Sequence, residues 1–234
     1  MYWIVLIAAA VLTAFLVWAS ADIGSGVYVR ALCRRRTGKA VVALTFDDGP
    51  DPVTTPEVLD VLRRHGVKAA FFVTGEKLRS NPETVRRTVA EGHILGNHTY
   101  RHSAFFPLMS GRGVAEEIEK TQIAAEEIAG VRPLLFRPPF GVTNPIIGGA
   151  VSRAGLRCIG WSIRSLDTFE NRSREEVCRR IADRLHNGAV ILLHDRCKDA
   201  GRLTEMVISA VENEGFDIVP LDELFDMDVY EKRS

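Results

Sequence analysis

From residue 41 to residue 221, short runs of apolar, β-branched and aromatic residues alternate with amphipathic stretches of helical spacing. The runs are VVALTF (41–46), KAAFFVTG (68–75), HILGNHT (93–99), LLFRPP (134–139), RCIGWS (157–162), GAVILLHD (188–195) and FDIVPL (216–221). Each is short and nearly continuously apolar, the pattern of strands buried on both faces. Between them lie TPEVLDVLRRHG, NPETVRRTVAEG, VAEEIEKTQIAAEEIAG, NPIIGGAVSRAG, SREEVCRRIADRLHNG and GRLTEMVISAVENEG. Asn-Pro opens two of these at Asn81 and Asn144, Ser173 precedes two glutamates, and glycines close several. Seven strands separated by six helices predict an α/β fold with parallel strands, either a barrel or a doubly wound sheet. No GxGxxG follows the first strand, so a dinucleotide site has no support.

In a parallel barrel the C-terminal ends of all strands open on one face, where enzymes of this architecture build their sites. The polar residues gather at those ends. Asp47 and Asp48 end the first strand, and His98 and His102 follow the third. Arg137 and a PPFG turn follow the fourth, Asp167 the fifth, and His194 and Asp195 the sixth. Two adjacent carboxylates repel each other and resist burial, so the pairing needs a compensating charge. Histidines four apart share one face of a helical turn and can hold one divalent ion with a carboxylate, leaving a fourth position open. The second aspartate is then free to take a proton. The motif is not HExxH, because position 99 is Thr, so a general base must come from elsewhere. Asp195 is expected to cap or hydrogen-bond, and Cys197 to be incidental.

These residues resemble the NodB-like polysaccharide deacetylases, carbohydrate esterase family four, over about residues 40–222. The motifs occur in order: TFDDGP (45–50), HTYRH (98–102), RPPFG (137–141), an aspartate after the fifth strand, and LLHD (192–195). The resemblance implies a distorted (β/α) barrel of seven or eight strands and metal-dependent removal of acetyl groups from a glycan. By position it implies Asp47 as general base and Asp48, His98 and His102 as metal ligands. Arg137 would orient Asp47, and Asp167 would support Arg137 or His194. His194 would protonate the leaving group, the Phe140 N–H would face the oxyanion, and Leu193 would line the pocket for the acetyl methyl. Zinc is the implied ion, with cobalt or nickel suited to the same donors. Two positions depart from the common family pattern: Phe140 stands where many members have Tyr, and Thr168 where many have Trp. N-deacetylation of an amino sugar in peptidoglycan or a related envelope glycan is the leading expectation. The alternatives are O-deacetylation, as of acetylxylan, and a catalytically silent glycan-binding protein.

The N-terminus differs from the rest. Residues 2–19 carry no charge and no proline, and as a helix they span roughly 27 Å, enough for a bilayer core. Trp3 and Trp18 lie near the two ends, where interfacial indoles collect. Residues 1–21 are therefore expected as a membrane anchor or uncleaved signal segment, 22–39 as a basic linker, and 40–234 as the catalytic domain. Ala19-Ser20-Ala21 resembles a cleavage site, but a basic leader is missing. An envelope glycan implies an extracytoplasmic domain, whereas Arg34, Arg35, Arg36 and Lys39 would hold that flank inside by the positive-inside rule. With 30 basic and 30 acidic residues the chain is formally neutral, which speaks against a nucleic-acid partner. Nothing in the sequence points to a protein partner. Cys33, Cys158, Cys178 and Cys197 form no CxxC pair and are expected as buried or incidental thiols, with a disulfide as the alternative.

Overall fold

A computed structural model describes residues 2–169 and 171–232. Its strands are β1 (Val41–Asp47), β2 (Ala70–Val73), β3 (Ile94–Asn97), β4 (Leu135–Phe136), β5 (Arg157–Cys158), β6 (Ile163–Arg164), β7 (Ala189–His194) and β8 (Asp217–Ile218). They form one parallel sheet in the order β5-β4-β3-β2-β1-β7-β6, with β8 paired to the start of β1. The sheet curls into an incomplete barrel, and the gap lies between β5 and β6, which adjoin in sequence and stand at opposite ends of the order.

The run 157–162, expected as one strand, contributes only β5, and the eighth strand, β6, begins just beyond it. Pairing to β4 stops at Cys158, and the chain then crosses to pair with β7 from Ile163. Side-chain nitrogens of Arg137 take the carbonyls of Ile159 and Gly160 at 3.1 and 2.9 Å. A buried guanidinium therefore satisfies the backbone groups that a strand partner would otherwise take.

Side-chain parity along the strands divides the core. On β1, Val42, Leu44 and Phe46 pack outward with α2 (Thr54–His65) and α8 (Ala200–Asn213). Ala43, Thr45 and Asp47 therefore face the barrel interior, as the two-residue period requires. On β7, Ala189, Ile191 and Leu193 lie in the same outer core as α2, and Val190 lies in the inner one. The remaining helices are α1 (Tyr2–Ala21), α3 (Gly75–Ser80), α4 (Pro82–Ala90), α5 (Gly111–Ala129), α6 (Pro145–Arg153), α7 (Arg174–Ala182) and α9 (Leu221–Phe225). α3 and α9 are single short elements that no long periodic stretch announced.

Residues 22–39 are not a free linker. Leu32 pairs with Ile159 and Arg34 with Ala189, so this strap crosses the open side of the barrel. Two glycines seat it. A Cβ on Gly148 would lie 2.1 Å from the Tyr28 carbonyl oxygen, and one on Gly188 would lie 1.9 Å from that of Arg35. α1 also ends against the domain, where Thr143 N–H donates to the Ser20 carbonyl at 2.9 Å and Ile23 is buried. The rest of α1 is largely exposed and apolar, long enough to cross a membrane by length and composition. All four cysteines are free thiols.

Candidate active site

Five described residues with side chains adopt left-handed backbone at the C-terminal ends of the strands: Asp48 (φ 74°), Thr99 (67°), His102 (50°), Phe140 (61°) and Leu166 (64°). Each costs on the order of 1–3 kcal/mol and persists only where surrounding contacts over-determine it. Those contacts are visible around HTYRH. The segment is a bend rather than the helical turn expected from the spacing of its histidines. Asn97 accepts from Thr99 N–H at 2.9 Å, and Thr99 Oγ1 accepts from His102 N–H at 3.2 Å. Buried Glu117, on α5, accepts from both the N–H and Nε of Arg101 at 2.9 Å. The bend still brings both imidazoles to one side, with ring centroids 4.8 Å apart.

Asp48, His98 and His102 bring three donor atoms together. Asp48 Oδ1 lies 3.4 Å from His98 Nε2 and 3.3 Å from His102 Nε2. A tetrahedral ion with ligand distances of about 2.0 Å needs donors about 3.3 Å apart, so this triplet fits a zinc-sized ion. The protonation states fit as well. His98 Nδ1 donates to the Arg137 carbonyl at 2.7 Å, which leaves the Nε2 lone pair directed at the site. Burial and the neighbouring His98 push His102 down to about 4, so its imidazole is neutral at physiological pH, the form a metal ligand requires. Burial opposes the Asp48 charge, yet the His98 hydrogen bond, both histidines and Arg196 hold its pKa well below the carboxylate range.

Asp47 sits beside this triplet, buried, with Oδ2 3.8 Å from His98 Nε2. Its Oδ1 accepts from Arg137 Nη1 at 2.6 Å. Arg137 is fully buried, donates also to Thr45 Oγ1 at 2.9 Å, and lies over the ring of Phe72 at 4.1 Å. On the neighbouring strand His194 is the register partner of Asp47. Asp167 holds it by two contacts: Oδ1 to His194 Nδ1 at 2.7 Å, and Oδ2 to its backbone N–H at 2.7 Å. Of the two roles expected for Asp167, the geometry brings it to His194 and not to Arg137. Phe140 packs against His102 with ring centroids 4.8 Å apart in an edge-on arrangement.

The expected place of Leu193 is corrected as well. Leu193 does not line the site; it belongs to the outer core with the helices. Leu192 lines the cavity instead, because it shares the parity of His194 on β7. The cavity has a volume of about 190 Å³, with Trp161, Gly141, Arg164 and Thr168 completing its walls. Trp161 thus supplies an aromatic wall although it lies away from the position where relatives of this pattern carry Trp.

Arg196 and Lys77 went unanticipated. Arg196 Nε donates to Asp48 Oδ2 at 2.7 Å, and Lys77 Nζ to the Asp48 carbonyl at 2.6 Å. Arg196 directly follows LLHD and carries a positive charge beside the rim, the one signal that was available. Asp195 is buried, accepts from Thr55 Oγ1 at 2.5 Å, and is pushed by burial up to about 7. Burial likewise raises the Cys197 thiol to about 12, and it lies outside the Asp48, His98 and His102 donor group.

Burial lowers the affinity of His194 for a proton, but the Asp167 hydrogen bond and the charges of Asp167, Asp47 and Asp48 outweigh it and raise its pKa above the ordinary value. A general acid must be protonated, so in that role the raised pKa would extend the active range toward alkaline pH. Asp167→Asn removes the largest raising contact. The alkaline limb of kcat/KM is expected to move to lower pH, and a pH–rate profile that keeps its alkaline limb in place would contradict the coupling.

A family model described as polysaccharide deacetylase matches residues 34–159. The chain is 35% identical over 201 residues to the peptidoglycan-N-acetylglucosamine deacetylase PgdA of Listeria monocytogenes, an alignment covering 86% of this chain and 42% of that protein. The chain therefore spans less than half the length of that relative. It is 34% identical to a chitooligosaccharide deacetylase of Bradyrhizobium, covering 80% of this chain and 92% of the relative. The fold matches the structure of the peptidoglycan deacetylase PdaC from Bacillus subtilis with a TM-score of 0.74 and 31% identity, over 81% of this chain and 91% of that one.

Proposed function

The chain belongs to the polysaccharide deacetylase family, and from that premise we propose that it hydrolyses the N-acetyl group of an amino sugar in peptidoglycan or a related envelope glycan. The observation that carries the reading is the meeting of two separate sets of groups in one cavity: the Asp48, His98 and His102 donors, and the Asp47 and His194 pair on adjacent strands. Asp48, His98 and His102 would hold a divalent ion, with zinc the first choice; such an ion supplies Lewis acidity toward the acetyl carbonyl and lowers the pKa of water.

The chain's own groups do the rest. Arg137 fixes Asp47 through one oxygen, which leaves the other to accept a proton from the attacking water. The Phe140 N–H donates to the oxygen that becomes negative when the carbonyl turns tetrahedral. Protonated His194, aligned by Asp167, gives its proton to the departing nitrogen. Leu192 and Trp161 present apolar surface to the acetyl methyl, and the small cavity admits the acetamido group while the sugar stays outside. The amide reading is favoured over an ester because one relative is a peptidoglycan-N-acetylglucosamine deacetylase and another a chitooligosaccharide deacetylase. The apolar α1 supports work at a membrane, and an outward-facing domain follows from the envelope substrate proposed here rather than from the helix.

The test is acetate release by the full chain in neutral detergent from chitooligosaccharides, peptidoglycan and acetylxylan, with zinc and with chelator. Chelator-sensitive release from the amino-sugar substrates supports the proposal. Release from acetylxylan alone moves the protein to ester hydrolysis, and metal binding without release from any of the three favours a silent glycan-binding role.

A further inference from the structure

The strap 28–36, α6 and residues 225–227 line an open surface cavity of about 1050 Å³, more than five times the volume of the one at the Asp48–His98–His102 cluster. Arg30, Arg34, Arg35, Arg36 and Arg157 line it, against a single carboxylate, Asp226. Much of the remaining wall is apolar, including Val151, Leu156 and Phe225. Among the described residues none of these five guanidiniums has an ion-pair partner, and their one hydrogen bond runs from Arg35 Nη1 to the Phe225 carbonyl at 2.9 Å.

An unpaired guanidinium is not in itself distinctive here: among the described residues Arg63, Arg64, Arg86, Arg87, Arg132 and Arg137 each sit against a carboxylate, but Arg153, Arg164, Arg179 and Arg184 do not. A run of basic residues after an apolar helix is by itself an ordinary solvated flank. Two features separate this cluster from one. Arg157 comes from β5, far along the chain, and converges on the same cavity. The strap is also held by its β-bridges to Ile159 and Ala189 and by close backbone approach to Gly148 and Gly188. The positive charges are thus presented from a fixed frame, which spares a ligand the entropy of ordering them.

We propose that this cavity binds a phosphate group carried on a partly apolar ligand, independently of the acetyl chemistry on the other face. Several guanidinium forks around one cavity match the multiple acceptor oxygens of a phosphate better than a lone carboxylate, and the apolar wall gives the attached organic portion a place to lie. The phosphate could belong to a lipid headgroup, since the strap continues directly from α1, or to a soluble phosphate compound.

Calorimetric titration of the full chain in neutral detergent separates these cases. The probes are inorganic pyrophosphate and phosphatidic acid in the same micelles, with phosphatidylcholine as zwitterionic control. Saturable binding of at least one anionic probe is expected, weakening at higher salt as exposed charges are screened. The Arg34→Gln/Arg36→Gln double variant, and Arg157→Gln separately, should each weaken it by about tenfold or more. Arg35 is left intact because it bonds to Phe225. Binding of pyrophosphate as tight as that of the lipid assigns a soluble ligand; binding of phosphatidic acid alone assigns a headgroup. No binding above the phosphatidylcholine control, or equal affinity in variants that melt like the parent, overturns the site. Arg157→Gln, from a different part of the chain, keeps the result readable if the double variant does not fold.

Discussion

Replacing Asp47 by Asn should lower kcat for acetate release by about 10²–10⁴-fold, the usual contribution of a positioned general base, while bound metal is retained. The contrast with its neighbour makes the experiment decisive. Asp48 supplies the donor oxygen at 3.3–3.4 Å from both imidazoles, so Asp48→Asn should lose metal and activity together. Asp47 lies outside that triplet and is tied to Arg137 instead. Metal content by elemental analysis and turnover by acetate release therefore move together in one variant and separate in the other. Melting temperature must be followed as well, because a neutral amide in place of the Asp47 carboxylate cannot balance the buried guanidinium beside it. Asp47→Asn with turnover near the parent's would mean that another group takes the proton.

Arg137→Met should destabilise the fold by about 3–5 kcal/mol, the cost of leaving one partner of a buried ion pair alone. Four acceptors lose a donor at once: Asp47, Thr45 and the carbonyls of Ile159 and Gly160. Two of these lie where the sheet breaks between β5 and β6, so the same side chain closes the barrel and aims the base. Arg137→Lys should recover little, since an ammonium cannot reproduce a planar fork with donors on three nitrogens or its contact with the Phe72 ring. Urea unfolding gives the answer. A Met variant as stable as the parent would show that the barrel closes without this network.

Much of this was legible because the signals are local or ordered. The apolar runs marked the strands to within a few residues, and polar residues at their C-terminal ends marked one face. Leu192 was within reach too, since a parity count back from His194 selects it over Leu193. What escaped needed long-range contacts. Thr99 and His102 carry no sequence mark of left-handed backbone; their bend is imposed by Asn97 and by Glu117 on α5. The short strand just past the run 157–162, β6, follows a break where Arg137 captures two carbonyls. The strap looked like linker because glycines and arginines interrupt its apolar residues, and its seating is visible only in the glycines of α6 and β7's entry that face it.

The pinned end of α1 bears on how far the domain can travel. A free tether of 18 residues would let it roam by roughly 25 Å from its root. Here Ser20 is bonded to Thr143, just past the RPPFG turn, and the following residues lie along the barrel wall, so that slack is taken up. In a bilayer the working face would keep a set height and bearing, like a tool clamped to a bench. Glycans would have to be brought within its short radius, and lengthening the leash ought to change which ones are treated before it changes how fast.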